Sequence, residues 1–287
     1  MLMTDSPATA VSSSAASDAA AALPSLMSVT AVQWGGDKGE AQPRQISAEV
    51  PVAMVFNGIS HAVMMATPQD LAEFGVGFAL GEGIVERPED CRDLEVRTHA
   101  QGTADAACTV HMEISPRQFA RLKDRRRTLA GRTGCGVCGI DSLQALDLHP
   151  EPLAVPAWCQ ELDAATILRP FAALGAQQLL NTHAGSLHAA GWARPDGQLT
   201  DVLEDVGRHN ALDKLLGRLA LTGRLDEAGF VVMTSRASYE LVRKCARLGV
   251  PALATISAPT SLALQLAREA GMQVWGMCRQ PHAVRYV

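Results

Sequence analysis

The sequence predicts an α/β protein, chiefly from a strand–helix repeat in its C-terminal half. FVVMTS, PALATIS and MQVWGMCR are apolar runs of strand length, and SYELVRKCARLG and SLALQLAREAG between them have helical periodicity. Strands that are joined by helical crossovers of about a dozen residues pair in parallel. We therefore expect a parallel sheet with helices packed on it.

A smaller α+β unit is predicted over residues 28–130. Asn57-Gly58 lies between two strand-like runs, as in a tight type I′ hairpin. We expect the next helix to begin at Thr67-Pro68, with the threonine as N-cap and the proline as the first helical residue. Two alternating runs between residues 93 and 114 predict another antiparallel pair. This unit is interpreted as scaffold.

The second unit is predicted over residues 131–287, with a cysteine-containing loop at its start. Strands at 186–193 and 198–205 flank the turn Pro195-Asp196-Gly197, and a helix is expected from Arg208 to Leu219. The strand–helix repeat follows this helix. The strands at 186–193 and 198–205 and the parallel strands of the repeat are expected to belong to the same half of the protein.

Residues 1–27 are rich in Ala and Ser and show no lasting hydrophobic periodicity. Such a segment buries too little apolar surface to offset its ordering entropy, so we predict a disordered tail. A transit peptide is the alternative, but transit peptides are rich in Arg and this segment contains none. No secretory signal is recognised, and an odd number of cysteines, seven, suggests free thiols. A cytoplasmic location is therefore expected.

Composition excludes several classes of partner. The 287-residue chain is 47% hydrophobic, but no apolar run approaches the ~20 residues that span a bilayer. The formal net charge of −5 offers no general attraction to nucleic acid or to anionic lipid. We predict neither a nucleic-acid partner nor a membrane partner, so any anion site must be local.

The pair Cys135-Gly136-Val137-Cys138 is the most informative chemical feature. As half of a zinc site it would need a second ligand pair, but no second CxxC exists, and His183 and His188 lie in a strand-like stretch. A thioredoxin-type motif should open a helix after a strand, whereas this pair lies in a glycine-rich loop after a helix. A nucleophilic thiolate that carries a group is the third interpretation.

The basic segment before the cysteines favours the third interpretation. Ser115-Pro116 opens a helix, and seven basic residues but only one acid, Asp124, lie between Arg117 and Arg132. A shift of a cysteine pKa from ~8.5 to ~6.5 would raise the ionised fraction at neutral pH from a few per cent to about three quarters. The cysteines expected to be unreactive are Cys91, Cys108, Cys159 and Cys245, of which Cys108 and Cys245 are predicted core residues.

Two successive strand-to-helix junctions, Thr234–Ser238 and Ser257–Ser261, predict an anion-binding crevice at one edge of the sheet. Each offers hydroxyl groups, backbone N–H groups and a helix N-terminus, which suit phosphate. Arg236 and Arg279 would add guanidinium groups at the same edge. The alternative is that these Ser and Thr residues only cap helices. Neither a P-loop nor a dinucleotide fingerprint is present. The phosphate contacts that we expect are Ser235, Arg236 and Thr260.

The segment from Glu204 to Lys214 is unusually polar for a junction between a strand and a helix. We expect Glu204 to pair with Arg208 and Asp205 to pair with His209, and Asp205 to cap the helix. A structural polar network is one interpretation. A proton shuttle through His209 is the other.

From about Ser47 to the C-terminus, the chain resembles the FdhD family of formate dehydrogenase accessory sulfurtransferases. The resemblance rests on several separated motifs, which are TPQDLAEFGVGFALGEGI, GRTGCGVCGI, THAGSLHAAGW, EDVGRHNALDK, TSRASYELVRKCARLGVPALATISAPTSLA and GMCR. It implies a cytidine-deaminase-like α/β sandwich with a smaller N-terminal domain. Together these motifs are specific, which the CxxC pair alone would not be.

The resemblance also implies a function in sulfur transfer. Sulfur would arrive from a cysteine desulfurase as a persulfide on Cys135, with Cys138 as its companion. It would leave for the molybdenum bis(molybdopterin guanine dinucleotide) cofactor, bound as a substrate, that formate dehydrogenase requires. A homodimer that holds no metal of its own is expected. The implied cofactor-binding stretch, which includes the guanine nucleotide contacts, is Met277, Cys278, Arg279, Gln280, Pro281 and His282.

This stretch departs from the family, which usually has Phe-x-Arg-Gly at the last strand. Met277 replaces the aromatic residue and cannot stack on guanine as a ring would. Two rival functions remain. A zinc deaminase requires H-x-E followed by P-C-x-x-C, but Gly134 instead of a proline precedes the cysteine pair of this chain. A chaperone that only shelters the cofactor would keep the crevice and make both cysteines dispensable.

Overall fold

The computed structural model describes residues 22–36, 38–127 and 149–287, without the side chains of residues 125–127. The described residues form three sheets, and the predicted α/β class is confirmed. The first six strands are β1 (Leu26–Gly35), β2 (Lys38–Ser47), β3 (Val50–Phe56), β4 (Ile59–Ala66), β5 (Arg92–His99) and β6 (Ala107–Glu113). The other six are β7 (His188–Ala193), β8 (Leu199–Asp205), β9 (Phe230–Met233), β10 (Ala252–Thr255), β11 (Gln273–Arg279) and β12 (His282–Arg285).

Helices connect most of these strands. They are α1 (Leu71–Gly81), α2 (Pro116–Arg127), α3 (Ala157–Gln160), α4 (Ala164–Gln177), α5 (Asn181–Ala184), α6 (Arg208–Leu221), α7 (Tyr239–Arg247) and α8 (Ser261–Ala270), and a 3-10 turn spans Pro88–Asp90. Within the described ranges no helix is both long enough and apolar enough to cross a membrane. The expected strand-like stretch around His183 is wrong, because that residue lies in α5. His188 does begin a strand.

The first unit contains a four-stranded sheet in the order β4-β3-β6-β5. The predicted hairpin is confirmed, since Asn57 and Gly58 join β3 to β4 with φ angles of 47° and 75°, as a type I′ turn requires. The predicted β5–β6 antiparallel pair is confirmed as well. Helix α1 covers one face of this sheet, where Phe74 and Phe56 are fully buried.

The predicted start of α1 is wrong by three residues. The helix begins at Leu71, and its N-cap is Asp70 with a φ of 52°. Thr67 is buried instead: its N–H group donates to Asp205 at 3.0 Å, and its hydroxyl oxygen accepts from the Val206 N–H group. The threonine therefore links the two units rather than capping its own helix.

The second unit contains a six-stranded sheet in the order β12-β11-β10-β9-β7-β8. The three strands of the repeat, β9, β10 and β11, are parallel as predicted, and the predicted β7–β8 pair is antiparallel. Helices α6, α7 and α8 pack on one face, and α3 and α4 pack on the other. The sheet is therefore mixed and buried on both faces.

The two units meet where α1 crosses α6. A Cβ atom on Gly77 would lie 1.8 Å from the carbonyl oxygen of Asp213, and one on Gly217 would lie 1.8 Å from that of Glu73. Only glycine permits so close an approach between the two backbones. Ion pairs surround this contact, namely Arg218 with Asp70 and Glu73, Arg243 with Glu82, Lys244 with Glu82 and Asp213, and Lys214 with Asp205.

Strands β1 and β2 form a separate two-stranded ribbon that the sequence did not predict. The ribbon reaches the second unit through Ser47, whose hydroxyl lies 2.7 Å from that of Ser186. Several large apolar side chains on it are exposed, among them Trp34, which is 71% exposed. The ribbon begins at Leu26, close to the predicted end of the N-terminal tail.

Candidate functional site

The two predicted junctions and the last parallel strand lie together at one edge of the six-stranded sheet. β9, β10 and β11 are adjacent and parallel, so their carboxyl ends share that edge. The Ser257 N–H group donates to the carbonyl of Ser235 at 3.3 Å, and the Met277 N–H group donates to that of Ser257 at 3.4 Å. The Thr260 N–H group donates to the Ala237 carbonyl at 3.0 Å. We call this edge, Thr234–Ser238, Ser257–Ser261 and 277–282, the crevice.

The predicted phosphate-binding residues differ in their availability. Ser235 is buried, and its hydroxyl donates to the carbonyl of Arg236 at 3.1 Å. The Thr260 hydroxyl oxygen accepts from the Ala263 N–H group at 3.4 Å, so this residue caps α8 as the alternative interpretation expected. The Arg236 side chain is exposed and has no acidic partner within the described part of the chain. Arg236 is therefore the best placed of the three to meet an anion.

The predicted cofactor-binding stretch forms the end of β11 and the turn into β12. Met277 is exposed and has a φ of 53°, and the residues on either side of the turn, Arg279 and His282, are paired across the strands. Cys278 departs from the prediction, because its side chain lies in the core and burial raises the pKa of its thiol to about 11. Alternation along a strand explains this, since neighbouring side chains point to opposite faces. Only the backbone of Cys278 can contact a ligand.

Both ion pairs predicted for the segment from Glu204 to Lys214 are wrong. The Glu204 carboxylate accepts from the N–H groups of Leu180 and Asn181 at 2.8 and 2.9 Å, and so it does not pair with Arg208. Asp205 is fully buried and pairs with Lys214 at 2.7 Å. A buried carboxylate needs several donors, and these come from the start of α5 for Glu204 and from Thr67 and helix α6 for Asp205. The segment is a structural polar network, the first of the two interpretations.

His209 pairs with Glu240, a residue that the sequence did not single out. The Nε2 atom of His209 lies 3.5 Å from the Glu240 carboxylate, and the two side chains are 16% and 17% exposed. The imidazole of His209 beside it lowers the pKa of Glu240 to about 2, although burial opposes this shift. Glu240 lies in the first turn of α7. Its position four residues after Arg236 is the only feature of the sequence that could have pointed to it.

Cys135 and Cys138 lie outside the described residues. The chain before them ends with α2 at Arg127, and it resumes at His149, whose Nδ1 atom is 3.1 Å from Glu269 near the end of α8. That end of α8 faces away from the crevice, which lies at the start of the helix. In residues 22–36, 38–127 and 149–287, no group of three or more His, Cys, Asp or Glu side chains could hold a metal ion.

The five described cysteines are poorly suited to nucleophilic chemistry. Cys108, Cys159, Cys245 and Cys278 are buried, which confirms Cys108 and Cys245 as core residues, and Cys91 is half-buried. Burial raises the pKa of Cys245 and Cys91 to about 12, and the nearby Asp90 adds to the shift of Cys91. Thiols with such pKa values are almost entirely protonated at neutral pH.

Comparison with known proteins gives one consistent family. The family model of FdhD/NarQ matches residues 47–287. Sulfur carrier protein FdhD of Chromobacterium violaceum is 56% identical over 245 residues, which cover 84% of this chain and 88% of that protein. Sulfur carrier protein FdhD of Cupriavidus necator is 48% identical over 254 residues, which cover 88% and 85%.

The crystal structure of a protein assigned as a formate dehydrogenase accessory protein, from Desulfotalea psychrophila, is similar to this fold. It superposes with a TM-score of 0.65 at 25% identity, over 92% of this chain and 97% of that chain. The family match covers the four-stranded sheet of the first unit and the crevice, and the relatives are matched over most of their own length. The chain belongs to the FdhD/NarQ family.

Proposed function

We propose that this protein is a sulfur carrier that acts on the molybdenum cofactor of formate dehydrogenase. Cys135 accepts sulfur from a cysteine desulfurase, and the sulfur passes to molybdenum bis(molybdopterin guanine dinucleotide). The family membership and the names of the relatives support this role. The observation that carries the proposal is the state of the five described cysteines, whose burial and raised pKa values leave Cys135 and Cys138 as the candidates for chemistry.

The proposed loading step is an exchange between a thiolate and a persulfide. The Cys135 thiolate attacks the terminal sulfur of the donor persulfide, the S–S bond of the donor breaks, and the donor cysteine leaves as a thiolate. The proton of the persulfide stays with the transferred sulfur, so Cys135 becomes Cys135–S–SH. The basic residues between Arg117 and Arg132 favour the attacking thiolate form.

The crevice is the proposed binding site for the cofactor. Arg236 and Arg279 are exposed at one sheet edge, and Ser235, Thr260 and the other residues from Met277 to His282 lie beside them. Exposed guanidinium groups beside helix N-termini suit the pyrophosphate of a guanine nucleotide. Because Cys278 is buried, its contribution is limited to the backbone.

The length of the cysteine loop is compatible with transfer into this crevice. The described chain resumes near the end of α8, and a helix of that length spans about 15 Å from its end to its start at the crevice. Eleven residues lead from Cys138 to His149, and that many can reach at most about 40 Å. Chain length therefore does not prevent either cysteine from approaching the crevice.

A cytoplasmic homodimer with a cytidine-deaminase-like second unit completes the proposal. The β1–β2 ribbon supports the dimer, because Trp34, Val32 and Met27 on it are more than half exposed. An isolated two-stranded ribbon is marginally stable in water, so a second copy of the chain would stabilise it by covering these side chains. Sedimentation of the full chain against a Trp34→Ser variant would test this part.

Labelled sulfur tests the proposed function directly. Incubation with a cysteine desulfurase and labelled cysteine should leave sulfur on the protein that a reductant releases, and Cys135→Ala should carry none. Cys91→Ala is the matched control, because Cys91 is half-buried with a raised pKa and should not affect loading. Formate dehydrogenase made in cells that contain only Cys135→Ala should contain its cofactor and be inactive.

Cys138 distinguishes two routes for the sulfur. If it relays the sulfur, Cys138→Ala should be loaded but fail to activate formate dehydrogenase. If it attacks the persulfide and releases sulfide, the label should last longer on Cys138→Ala and the activity should survive. Full formate dehydrogenase activity with Cys135→Ala would exclude the sulfur relay and leave the cofactor chaperone as the function.

A further inference from the structure

A second group of basic side chains lies beside the crevice, at the ends of β7 and β8. β7 runs antiparallel to β9, so His188 at its start is next to Thr234 at the end of β9. The Nδ1 atom of His188 is 3.4 Å from the Thr234 hydroxyl. The same hydroxyl oxygen accepts from the Ala189 N–H group at 2.9 Å, which fixes its position. His188 is therefore held at the same sheet edge as Arg236.

The surroundings of His188 determine its protonation state. Burial is the main cause that lowers its pKa, and the positive charges of Arg208 and His209 lower it further, while Asp205 acts in the opposite direction. The imidazole is consequently neutral at physiological pH. With Nδ1 facing the Thr234 hydroxyl, Nε2 is the nitrogen that can carry the hydrogen and donate it to a ligand.

Arg208 has hydrogen-bonding capacity that the protein does not use. Its Nε atom is buried and has no hydrogen-bond partner among the described residues. The neighbouring carboxylates have other partners: Asp205 pairs with Lys214, and Glu240 pairs with His209. A buried donor without an acceptor costs free energy, and a bound anion would remove that cost.

We propose that Arg208 and His188, together with Thr234, form an anion subsite that extends the crevice and binds a phosphoryl group of the nucleotide. The inference rests on the proposed function, because that function supplies a pyrophosphate to the crevice. A tetrahedral phosphoryl group has several acceptor oxygens, which match a guanidinium and an imidazole N–H group at once.

The subsite continues directly into the predicted crevice. Thr234 precedes Ser235 and Arg236 in the same junction, and the helix that begins at Arg208 has no side-chain cap at its N-terminus. β8 and β9 both run antiparallel to β7, which lies between them, so Arg208 after β8 and Arg236 after β9 lie at the same edge of the sheet. A pyrophosphate that spans them would contact one guanidinium group with each phosphoryl unit, which explains why a diphosphate is the expected ligand.

Nucleotide binding to the full-length protein tests the subsite. GDP and inorganic pyrophosphate should bind in calorimetry, and guanosine should bind far more weakly. Arg208→Gln should weaken GDP and pyrophosphate about ten- to a hundredfold, and His188→Gln about three- to tenfold. Arg268→Gln is the matched control, since Arg268 is exposed in the last turn of α8, away from the crevice, and should bind as the wild type does.

Each outcome decides for or against the subsite. Wild-type affinity for both ligands in Arg208→Gln and His188→Gln would overturn it, and if Arg236→Gln is weakened at the same time the crevice itself stands. No binding of either ligand to the wild type also overturns it. If Arg208→Gln fails to fold, the affinities of Arg208→Lys and His188→Gln for GDP and pyrophosphate decide instead. Pyrophosphate binding that depends on Arg208, without sulfur on Cys135, would support the subsite and contradict the sulfur carrier.

Discussion

Two regions of the molecule are rich in charged side chains: one is the contact between the two units, and the other is the crevice. The two regions differ in whether these side chains have partners of opposite charge. Around α1 and α6 the charged side chains have partners of opposite sign, as Arg243 has in Glu82 and Lys214 has in Asp205. At the crevice and beside it, Arg236 and Arg208 have no acidic partner in the described ranges. Paired charges hold elements together, whereas unpaired cations at a sheet edge are suited to a ligand.

Helix α7 belongs to both regions, which makes the comparison sharp. Arg236 lies at the crevice just before its start, and its second half carries Arg243 and Lys244 against Glu82 of the first unit. Substitutions at the end should therefore change the free energy of unfolding and leave ligand binding alone. Substitutions at the start should do the reverse.

The largest effect is expected at the contact between the helices. Gly77→Ala should cost about 3 kcal/mol or more, because its Cβ atom would lie 1.8 Å from the Asp213 carbonyl oxygen and the backbones would have to separate. Gly175→Ala in α4 is the matched control, since no atom lies within 4 Å of its Cβ position. That variant should gain up to about 1 kcal/mol from helix propensity. Urea denaturation of both variants measures the difference, and equal stabilities would disprove the close contact.

A pH-dependent effect of similar size is expected from Glu82. Burial raises its pKa, but the charges of Lys244 and Arg243 prevail and lower it from 4.5 to about 2. A carboxyl group whose pKa is depressed by folding stabilises the protein above pH 4.5, and this contribution is lost as the pH falls from 4.5 towards 2. Glu82→Gln should thus be less stable than wild type by roughly 3 kcal/mol at pH 7, with the gap closing near pH 2.

Urea denaturation at several pH values measures this gap. Glu86→Gln is the control, because Glu86 pairs with Arg121 on the surface and is 67% exposed, so that its loss should cost at most about 0.5 kcal/mol. A gap between wild type and Glu82→Gln that stays constant from pH 7 to pH 3 would contradict the role given to the Lys244 and Arg243 charges.

The sequence predicts the crevice better than it predicts the contact between the two units. The parallel strands and the convergence of Ser235, Ser257 and Met277 follow from local periodicity, because a strand–helix–strand pattern places successive strand ends at one edge. The link from Thr67 to Asp205 joins positions 138 residues apart. Short-range rules for helix caps could not anticipate it, so they placed the start of α1 too early.

The same limit explains the other errors. Glu204 and Asp205 were expected to pair with residues four positions on, as on an exposed helix, but both carboxylates are buried and are satisfied by distant donors. Cys278 was included in the ligand stretch by family resemblance, and the alternation of β11 places its side chain in the core. The ribbon was missed because β2 is mainly polar and lacks the alternation of a half-buried strand.

Moderate effects are expected for two arginines, one at the crevice and the other at the contact between the units. Arg236→Ala should weaken GDP binding by about 1–3 kcal/mol, the loss of a charged hydrogen bond, and change the free energy of unfolding by no more than about 0.5 kcal/mol. Arg243→Ala should destabilise the protein by about 1–3 kcal/mol, because Glu82 loses a partner at 2.8 Å, and bind GDP normally. Calorimetry and urea denaturation of the two variants check both halves. If both variants lost affinity equally, the division of α7 into two regions would be wrong.

The smallest effect is expected at Thr260, which combines both kinds of role. Its hydroxyl oxygen caps α8 through the Ala263 N–H group, while its hydroxyl hydrogen remains available to a phosphate. Thr260→Ala should therefore lower the free energy of unfolding by about 1 kcal/mol and weaken the free energy of GDP binding by a similar amount.

Thr260→Asp separates the two roles, because a carboxylate caps a helix as well as threonine does but repels an anion. This variant should unfold at the wild-type urea concentration and bind GDP more weakly than Thr260→Ala. Wild-type GDP affinity in Thr260→Asp would show that Thr260 is a cap alone and that the phosphate lies elsewhere in the crevice.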